Sequence, residues 1–223
     1  MDPLHHPHRA APPAVYGAPA ASAALAVILV HGRGQSPDWM REQVVERFGD
    51  ARLSWHAPAA DGASWYPQRF IAPAEHNEPR LGQALEALAR LSQALQDQGI
   101  PTSRQVLMGF SQGACLASEF AWRSAQRYHA LVAFTGGLIG EPGAPRVPPA
   151  SAAALAGLPV LLSTWDADPH VPLASVQESA EWFRQAGAEV RLHVGAAEAH
   201  GIRDDEIAQA RALLAAAAVP QGS

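Results

Sequence analysis

The sequence predicts an α/β protein with a mostly parallel central sheet and helices on both of its faces. Short, fully apolar runs alternate along the chain with longer stretches whose apolar residues recur every three or four positions. No internal repeat or break in composition divides the 223 residues, so one large domain accounts for them. Between residues 105 and 120, an apolar run leads through a tight glycine turn straight into a helical stretch. This third observation indicates a closely joined strand and helix.

Six apolar runs have the length and composition of buried parallel strands. They are predicted at residues 25–31, 52–57, 104–108, 130–135, 159–165 and 189–194. Amphipathic spacing predicts helices from about residue 79 to 98, from 172 to 187 and from 203 into the alanines at 215–218, besides the helix after residue 111. Asn77 is the expected N-cap of the first of these helices. Irregular segments at 61–76 and 136–151 are expected to wall a pocket at the carboxyl edge of the sheet.

The expected domain covers residues 24–218, between a Pro/Ala/His-rich N-terminal segment, 1–23, and a tail, 219–223. The N-terminal segment lacks the charge and apolar pattern of a secretory signal, and we assign no metal site to its cluster of His5, His6 and His8. Residues 25–30 are far too few to span a bilayer, so we expect no stable membrane association.

The net charge and the cysteine content indicate which partners and which cellular compartment to expect. The net charge of −5 carries no basic excess to attract nucleic acid, so no nucleic-acid partner is expected. The single cysteine, Cys115, cannot form an internal disulfide and is expected to be a small buried residue. A cytoplasmic protein follows from these features.

Residues 109–113 read Gly-Phe-Ser-Gln-Gly, with an apolar run before them and a helical stretch after. In this context G-x-S-x-G forms a nucleophile elbow, a strained turn that presents a serine at the carboxyl edge of a sheet. The pattern predicts acyl transfer through Ser111. An accidental loop in a chain rich in glycine and alanine is the alternative.

A serine nucleophile needs a base that takes its proton and an acid that orients the base. In proteins with a nucleophile elbow, the acid follows the serine along the chain and the histidine that acts as the base comes last. His200 follows the last predicted strand and is the expected base, whereas the other candidates lie inside a strand, at its amino end or in the acid loop. Asp166 and Asp168 both follow the strand 159–165. Spacing favours Asp168, which lies in the turn, and leaves Asp166 open. The histidines set aside are His129, His170 and His193.

The oxyanion formed by attack on a carbonyl needs two N–H donors. The amide of Gln112 is one, because it follows the nucleophile at a helix N-terminus. The second is expected from Arg33, in the His-Gly-Arg-Gly sequence that follows the first predicted strand.

Four motifs in this order resemble the carboxylesterase/phospholipase family of α/β-hydrolases, which includes the acyl-protein thioesterases. They are residues 29–34 (LVHGRG), 109–114 (GFSQGA), 166–172 (DADPHVP) and 199–201 (AHG), and the similarity covers about 24–215. The resemblance implies an α/β-hydrolase fold without a large cap domain. It makes Ser111 the nucleophile, Asp168 the acid and His200 the base, with the Arg33 and Gln112 amides as the oxyanion hole.

The family pattern and this chain differ in two places. Arg33 stands where the thioesterase branch commonly has an apolar residue, and the sequence Trp-Tyr-Pro at 65–67 is similar to bacterial members. Activity on lipidated proteins is therefore not expected. The two irregular segments offer aromatic and aliphatic residues for an acyl pocket, although these side chains also suit simple packing onto the sheet. The expected pocket residues are Trp65, Tyr66, Phe70, Leu138 and Ile139.

These features predict a serine carboxylesterase that hydrolyses small to medium carboxylic esters or thioesters without a metal or organic cofactor. Its expected partner is a small-molecule ester, and the apolar loops near the site also suit a homodimer face. The sequence leaves two alternatives: a lactonase or carbon–carbon bond hydrolase with the same three residues, and a non-catalytic binding protein on this fold.

Overall fold

The computed structural model describes residue 8 and residues 11–217, and in that part of the chain seven strands form one sheet. The strands are β1 (Ala14–Gly17), β2 (Leu25–Val30), β3 (Leu53–Ala57), β4 (Gln105–Phe110), β5 (Ala130–Phe134), β6 (Pro159–Trp165) and β7 (Glu189–Gly195). Their order across the sheet is β1-β3-β2-β4-β5-β6-β7. Every neighbouring pair runs parallel except β1 and β3, which are antiparallel. The predicted mostly parallel sheet is therefore confirmed.

Strand β1 was not predicted, and it lies inside the segment 1–23 that the sequence analysis set apart from the domain. It has only four residues, occupies the edge of the sheet and leaves Val15 55% exposed, so it carries little apolar signal. The sheet thus begins ten residues before the expected start at residue 24. The tail 219–223, together with residue 218, lies outside the described residues.

Helices cover both faces of the sheet because successive strand residues point to opposite sides. The helices are α1 (Pro37–Met40), the π-helical Arg41–Val45, α2 (Glu46–Phe48), α3 (Arg80–Asp97), α4 (Gln112–Arg123), α5 (Ala152–Leu155), α6 (Leu173–Gln185) and α7 (Asp204–Ala217). In β2, Ile28 belongs to the apolar cluster on the face covered by α3, α4 and α6, whereas Val27 belongs to the cluster on the face covered by the helical segment 37–48 and α7. No cap domain interrupts the described strands, and none of the described helices is both long and apolar enough to cross a membrane.

The predicted N-cap role of Asn77 is wrong. Pro79 occupies the N-cap of α3, without a side-chain cap. Asn77 is instead fully buried, where its Oδ1 accepts a hydrogen bond from the amide of Gln68 at 2.7 Å and its Nδ2 donates to the carbonyl of Arg69 at 3.3 Å. A buried loop must pair its backbone groups, and this side chain does so for the irregular segment 61–76.

Candidate active site

Ser111 lies on the sharp turn between β4 and α4. The strand ends at Phe110 and the helix begins at Gln112, so a single residue makes the connection. Its φ of 53° and ψ of −120° are strained for a residue with a Cβ. The amide of Ser111 donates to the carbonyl of Phe134 at 2.9 Å, which ties the turn to the neighbouring strand β5. The structure therefore forms the predicted elbow.

Two glycines allow this turn because no side chain fits at either position. A Cβ on Gly109 would lie 2.4 Å from the carbonyl oxygen of Gly113, inside the turn itself. A Cβ on Gly113 would lie 2.2 Å from the carbonyl oxygen of Val30 at the end of β2. Both contacts are with backbone atoms, which cannot rotate away.

Gly113→Ala is expected to lower the free energy of unfolding by about 1–3 kcal/mol or more, because the added methyl pushes α4 away from β2. Urea unfolding followed by circular dichroism measures this loss. Gly201→Ala is the matched control, since a Cβ there meets no atom within 4 Å. Equal stabilities of the two variants would contradict the tight packing of the elbow.

Hydrogen bonds join Ser111, His200 and Asp168 in a row. His200 Nε2 lies 3.0 Å from Ser111 Oγ, and His200 Nδ1 lies 2.8 Å from Asp168 Oδ2. His200 is in the loop between β7 and α7, and Asp168 is in the loop after β6, so adjacent strand ends present both groups. The ring of Phe110 packs against the imidazole with centroids 5.0 Å apart.

Asp168 is held so that one oxygen faces the imidazole. Its carboxylate is fully buried, and its Oδ1 accepts hydrogen bonds from the amides of His170 and Val171, both at 2.8 Å. These backbone donors compensate the buried charge and fix the rotamer. Asp166, the alternative left open by spacing, instead accepts a hydrogen bond from the amide of Ala197 at 2.9 Å.

The other histidines after Ser111 have different partners. His193 is 2.7 Å from Asp205 and His129 is 3.0 Å from the carbonyl of Ser103, each through one ring nitrogen. His170 lies beside the site, with its ring edge-on to that of His200 at 4.9 Å.

The loop after β2 carries the candidate oxyanion donor, and a neutral histidine holds it. His31 Nε2 accepts a hydrogen bond from the amide of Ala60 at 3.0 Å, so Nδ1 carries the proton that it donates to the carbonyl of Gly32 at 2.7 Å. Burial lowers the pKa of His31 and favours this uncharged form. The amide of Gly32 in turn donates to Gln35 Oε1 at 3.1 Å, which closes the loop on itself.

The side chains of Arg33 and Gln112 converge on one carbonyl, an arrangement that no sequence pattern predicts. Arg33 Nη2 and Gln112 Nε2 each donate to the oxygen of Tyr66 at 2.8 Å. Arg33 also donates to the carbonyls of Pro67 and Gln68, and Gln112 Oε1 accepts from the amide of Trp65. The segment 64–68 therefore ties together the two residues whose amides were predicted to form the oxyanion hole.

A cavity of about 500 Å³ opens beside the Ser111 hydroxyl. Two of the five expected pocket residues, Tyr66 and Phe70, line it together with Arg33 and Gln112. Most of the lining residues come from loops at the carboxyl edge of the sheet, as predicted for segment 61–76. The same prediction for segment 136–151 is wrong, because none of its residues lines this cavity. The remaining lining residues are Gln35, Pro67, Gln68, Arg69, Ser111, Cys115, His170, Val171 and His200.

Trp65, Leu138 and Ile139 do not line this cavity, which corrects the expectation for these three residues. Trp65 is fully buried, and its Nε1 donates to the carbonyl of His31 at 2.8 Å, so it supports the loop from behind. Leu138 and Ile139 are buried beside α6 and α4, where their amides donate to Ser179 and Glu119. Packing onto the sheet, the competing interpretation in the sequence analysis, accounts for all three.

Cys115 lines the cavity and, as expected, is buried. Burial raises the pKa of its thiol to about 12. At neutral pH the side chain is therefore a neutral thiol and not a competing nucleophile. Its place against Tyr66 makes it part of the apolar wall.

The histidine cluster near the N-terminus lies mostly outside the described residues, which exclude His5 and His6. His8 accepts a hydrogen bond from the amide of Asp61 at 3.2 Å and packs against the Trp65 ring. In the part of the chain that the structure describes, no group of three or more histidine, cysteine or acidic side chains is placed to hold a metal ion.

A mostly parallel sheet with a strained serine turn at the end of a central strand, and with an acid and a histidine on the loops after β6 and β7, defines an α/β-hydrolase. The chain belongs to the phospholipase/carboxylesterase family, whose model matches residues 13–217. Its members are ester hydrolases, and the resemblance stated from the sequence motifs is confirmed.

Solved structures agree with this assignment. A phospholipase/carboxylesterase from Dyadobacter fermentans is 33% identical, with a TM-score of 0.79 over 91% of this chain and 95% of the other. The esterase PE8 is 23% identical, with a TM-score of 0.73 over 92% and 98% of the chains. A carboxylesterase from Mesorhizobium loti is 19% identical, with a TM-score of 0.67 over 88% and 91%. The last two show the fold alone. A comparison with curated proteins gives no significant match.

Proposed function

We propose that this protein is a serine carboxylesterase that hydrolyses small to medium carboxylic esters or thioesters through an acyl-enzyme on Ser111. One observation carries the proposal. The Ser111 hydroxyl is hydrogen-bonded to an imidazole whose other nitrogen faces a buried carboxylate, and this hydroxyl borders a cavity of about 500 Å³. Three groups in this arrangement activate a serine that is otherwise a weak nucleophile.

In the first step His200 Nε2 accepts the Ser111 proton while Oγ forms a bond to the substrate carbonyl carbon. The imidazolium that results is stabilised by Asp168, which lies 2.8 Å from Nδ1. The tetrahedral intermediate then collapses, and the bond from its central carbon to the oxygen of the alcohol, or to the sulfur of the thiol, breaks. His200 donates the proton it took from Ser111 to this leaving group.

In the second step water repeats the sequence on the acyl-serine. His200 takes a proton from the water as its oxygen attacks the acyl carbon, and the bond to Ser111 Oγ then breaks as the proton returns to the serine. The products are the carboxylic acid and the free enzyme. This chemistry uses only side chains, backbone amides and water, so we assign no metal or organic cofactor.

The oxyanion of both intermediates is proposed to accept hydrogen bonds from the amides of Gln112 and Arg33. Gln112 is the first residue of α4, where N–H groups have no partner within the helix. Arg33 lines the same cavity and lies in the loop after β2. The side-chain bonds of both residues to the Tyr66 carbonyl support a preorganised hole, because they restrain the two loops relative to each other.

Arg33→Met is expected to reduce kcat by about 10- to 100-fold with a smaller change in KM. The variant keeps its own backbone amide but loses the three hydrogen bonds that hold the segment 66–68. The expected loss is below the 10²- to 10³-fold that removal of an oxyanion donor costs, because the donor is displaced and not deleted. Steady-state kinetics on an aryl ester measures the effect.

Two further variants interpret this result. Arg33→Lys keeps the charge but cannot span three carbonyls, so its kcat should fall between those of the wild type and Arg33→Met. Arg41→Met removes an arginine from the π-helical segment, where its partners are Asp38, Glu42 and Glu46, and controls for lost charge. A wild-type kcat in Arg33→Met would rule out the positioning role.

A fluorophosphonate probe tests the proposed nucleophile. We expect stoichiometric labelling of the wild type and an adduct on Ser111 after digestion and sequencing by mass spectrometry. Ser22→Ala should label normally, since this exposed hydroxyl donates only to the carbonyl of Pro19. An adduct on another residue, or none in a folded protein, would refute the proposal.

A panel of aryl esters of graded acyl length, with a thioester and a lactone included, determines the bond type and the chain-length preference. Preference for the lactone over every open-chain ester would favour the lactonase alternative. The homodimer and the cytoplasmic location stay predictions from the sequence.

A further inference from the structure

The cavity beside Ser111 has a charge pattern that differs from that of the whole chain. Acidic residues outnumber basic ones by 21 to 16 in the sequence. Among the described residues that line the cavity there are two arginines, Arg33 and Arg69, and no aspartate or glutamate. Asp168 is close, but its carboxylate is fully buried and faces His200 and two backbone amides. The lining thus presents positive charge without an acidic side chain to balance it.

The two arginines differ in how many hydrogen bonds their guanidinium groups form with the protein. Arg33 donates to three backbone carbonyls, so its guanidinium is committed to the loop 66–68. Arg69 makes one hydrogen bond, from Nη2 to the carbonyl of His170 at 3.0 Å, and no described carboxylate lies within ion-pair distance of it. A guanidinium has five N–H donors in a planar fork. Arg69 therefore keeps most of its donors for another partner.

The position of Arg69 relates these donors to the reaction. Arg69 and His170 are both exposed and both line the cavity, and the hydrogen bond between them joins the segment that carries Tyr66 and Phe70 to the loop that carries Asp168. The ring of His170 in turn packs edge-on against that of His200. A group held by Arg69 is thus held at the entrance to the site of acyl transfer.

We propose that this cavity accepts esters that carry a carboxylate, and that Arg69 binds this carboxylate as a specificity residue at the cavity mouth. A planar guanidinium matches a carboxylate with two parallel hydrogen bonds, and a cavity lined by one sign of charge concentrates ligands of the other sign. The inference rests on the proposed esterase function and adds the substrate class to it.

The experiment compares two pairs of substrates in which a carboxylate is replaced by a carboxamide of the same shape. In the first pair the charge is in the acyl group: the mono-4-nitrophenyl ester of adipic acid and its adipamic acid counterpart. In the second pair it is in the leaving group: 4-acetoxybenzoate and 4-acetoxybenzamide. The readout is the ratio of kcat/KM for carboxylate over carboxamide, measured for the wild type, Arg69→Gln and the control Arg184→Gln.

In at least one pair the wild-type ratio should be about ten, and the ratio for Arg69→Gln should be close to one. Arg184→Gln removes the same charge from an exposed site on α6, beside Glu181, and should keep the wild-type ratio. The wild-type ratio should also fall as KCl is raised, because salt screens the attraction. This salt dependence needs no variant, so it tests the attraction of the cavity for a carboxylate even if Arg69→Gln does not fold.

A ratio at or below one in both pairs, or a ratio that Arg69→Gln, Arg184→Gln and salt change equally, would overturn the proposed subsite. The carboxamide esters test the underlying function separately, because they carry no charge for Arg69 to bind. Hydrolysis of the carboxamides with no preference for carboxylate removes only the subsite. No hydrolysis of any of the four esters by folded wild-type protein contradicts the esterase itself.

Discussion

Ser111→Ala is expected to lower kcat/KM for ester hydrolysis by about 10⁴- to 10⁶-fold. The variant loses the only atom that the proposed mechanism acylates. Its fold should persist, because the Ser111 hydroxyl is bonded to His200 alone, while the backbone bond from its amide to Phe134 remains. Rates are compared at equal concentrations of protein with matching circular dichroism and urea midpoints.

The size of this loss depends on what the rest of the site does without the nucleophile. A residual rate above that of buffer is compatible with the mechanism, because binding and the oxyanion hole still act on an attacking water. Ser118→Ala is a suitable control on the same helix, since Ser118 is buried in α4 and does not line the cavity. Hydrolysis by Ser111→Ala at a tenth of the wild-type rate or more would exclude Ser111 as the nucleophile.

Asp168→Asn has the second-largest expected effect, a fall in kcat of about 10⁴-fold. Oδ1 of the asparagine can still accept hydrogen bonds from the amides of His170 and Val171. Its NH₂ group then faces His200 Nδ1 in place of a carboxylate oxygen and favours the tautomer with the proton on Nε2. In that tautomer the nitrogen next to Ser111 cannot accept the serine proton.

Asp166→Asn is the control for this prediction, because it lies in the same loop and was the competing candidate from the sequence. Asp166 accepts one hydrogen bond, from the amide of Ala197, and does not contact His200. We expect its kcat within about threefold of the wild type. If Asp166→Asn lost the activity and Asp168→Asn kept it, the assignment of the acid would be reversed.

The sequence was sufficient for those parts of the site whose chemistry is tied to a strand end. G-x-S-x-G after an apolar run requires a turn that only glycines permit, so the elbow at Ser111 could be located to the residue. His200 followed from its place after the last strand, because the carboxyl ends of parallel strands share one edge. The structure brings these residues within hydrogen-bonding distance, with Asp168 rather than Asp166 beside the imidazole.

The contacts of the irregular loops could not be predicted in the same way. Arg33 and Gln112 bond through their side chains to Tyr66, which is more than thirty residues from each, and no periodicity signals such a contact. Trp65 looked equivalent to Tyr66 in sequence, but one side chain faces the cavity and the other supports His31 from behind. In a loop without a repeating backbone conformation, the direction of each side chain depends on its tertiary partners.

The edges of the fold were missed for a related reason. Strand β1 has four residues, one neighbouring strand and alternating exposure, so neither length nor apolar content distinguishes it from a loop. The N-cap prediction for Asn77 rests on the general preference of helix N-caps for asparagine. In the structure its side-chain amide instead forms hydrogen bonds with backbone groups of Gln68 and Arg69 in the adjacent loop. Local propensity yields where a buried backbone group needs a partner.

The acyl-enzyme on Ser111 is the central claim, and rapid-quench mass spectrometry during ester turnover tests it most directly. Trypsin releases Ser111 in the peptide 105–123, between cleavage after Arg104 and after Arg123, and fragmentation separates it from Cys115 and Ser118. We predict a burst of one equivalent of alcohol and, at the same quench times, a peptide heavier by the acyl group that replaces the Ser111 proton. The substrate is an activated aryl ester, chosen so that acylation is faster than deacylation and the acyl-enzyme accumulates. Steady hydrolysis of this ester with no burst and no acyl group on Ser111 at quench times shorter than one turnover would contradict the account.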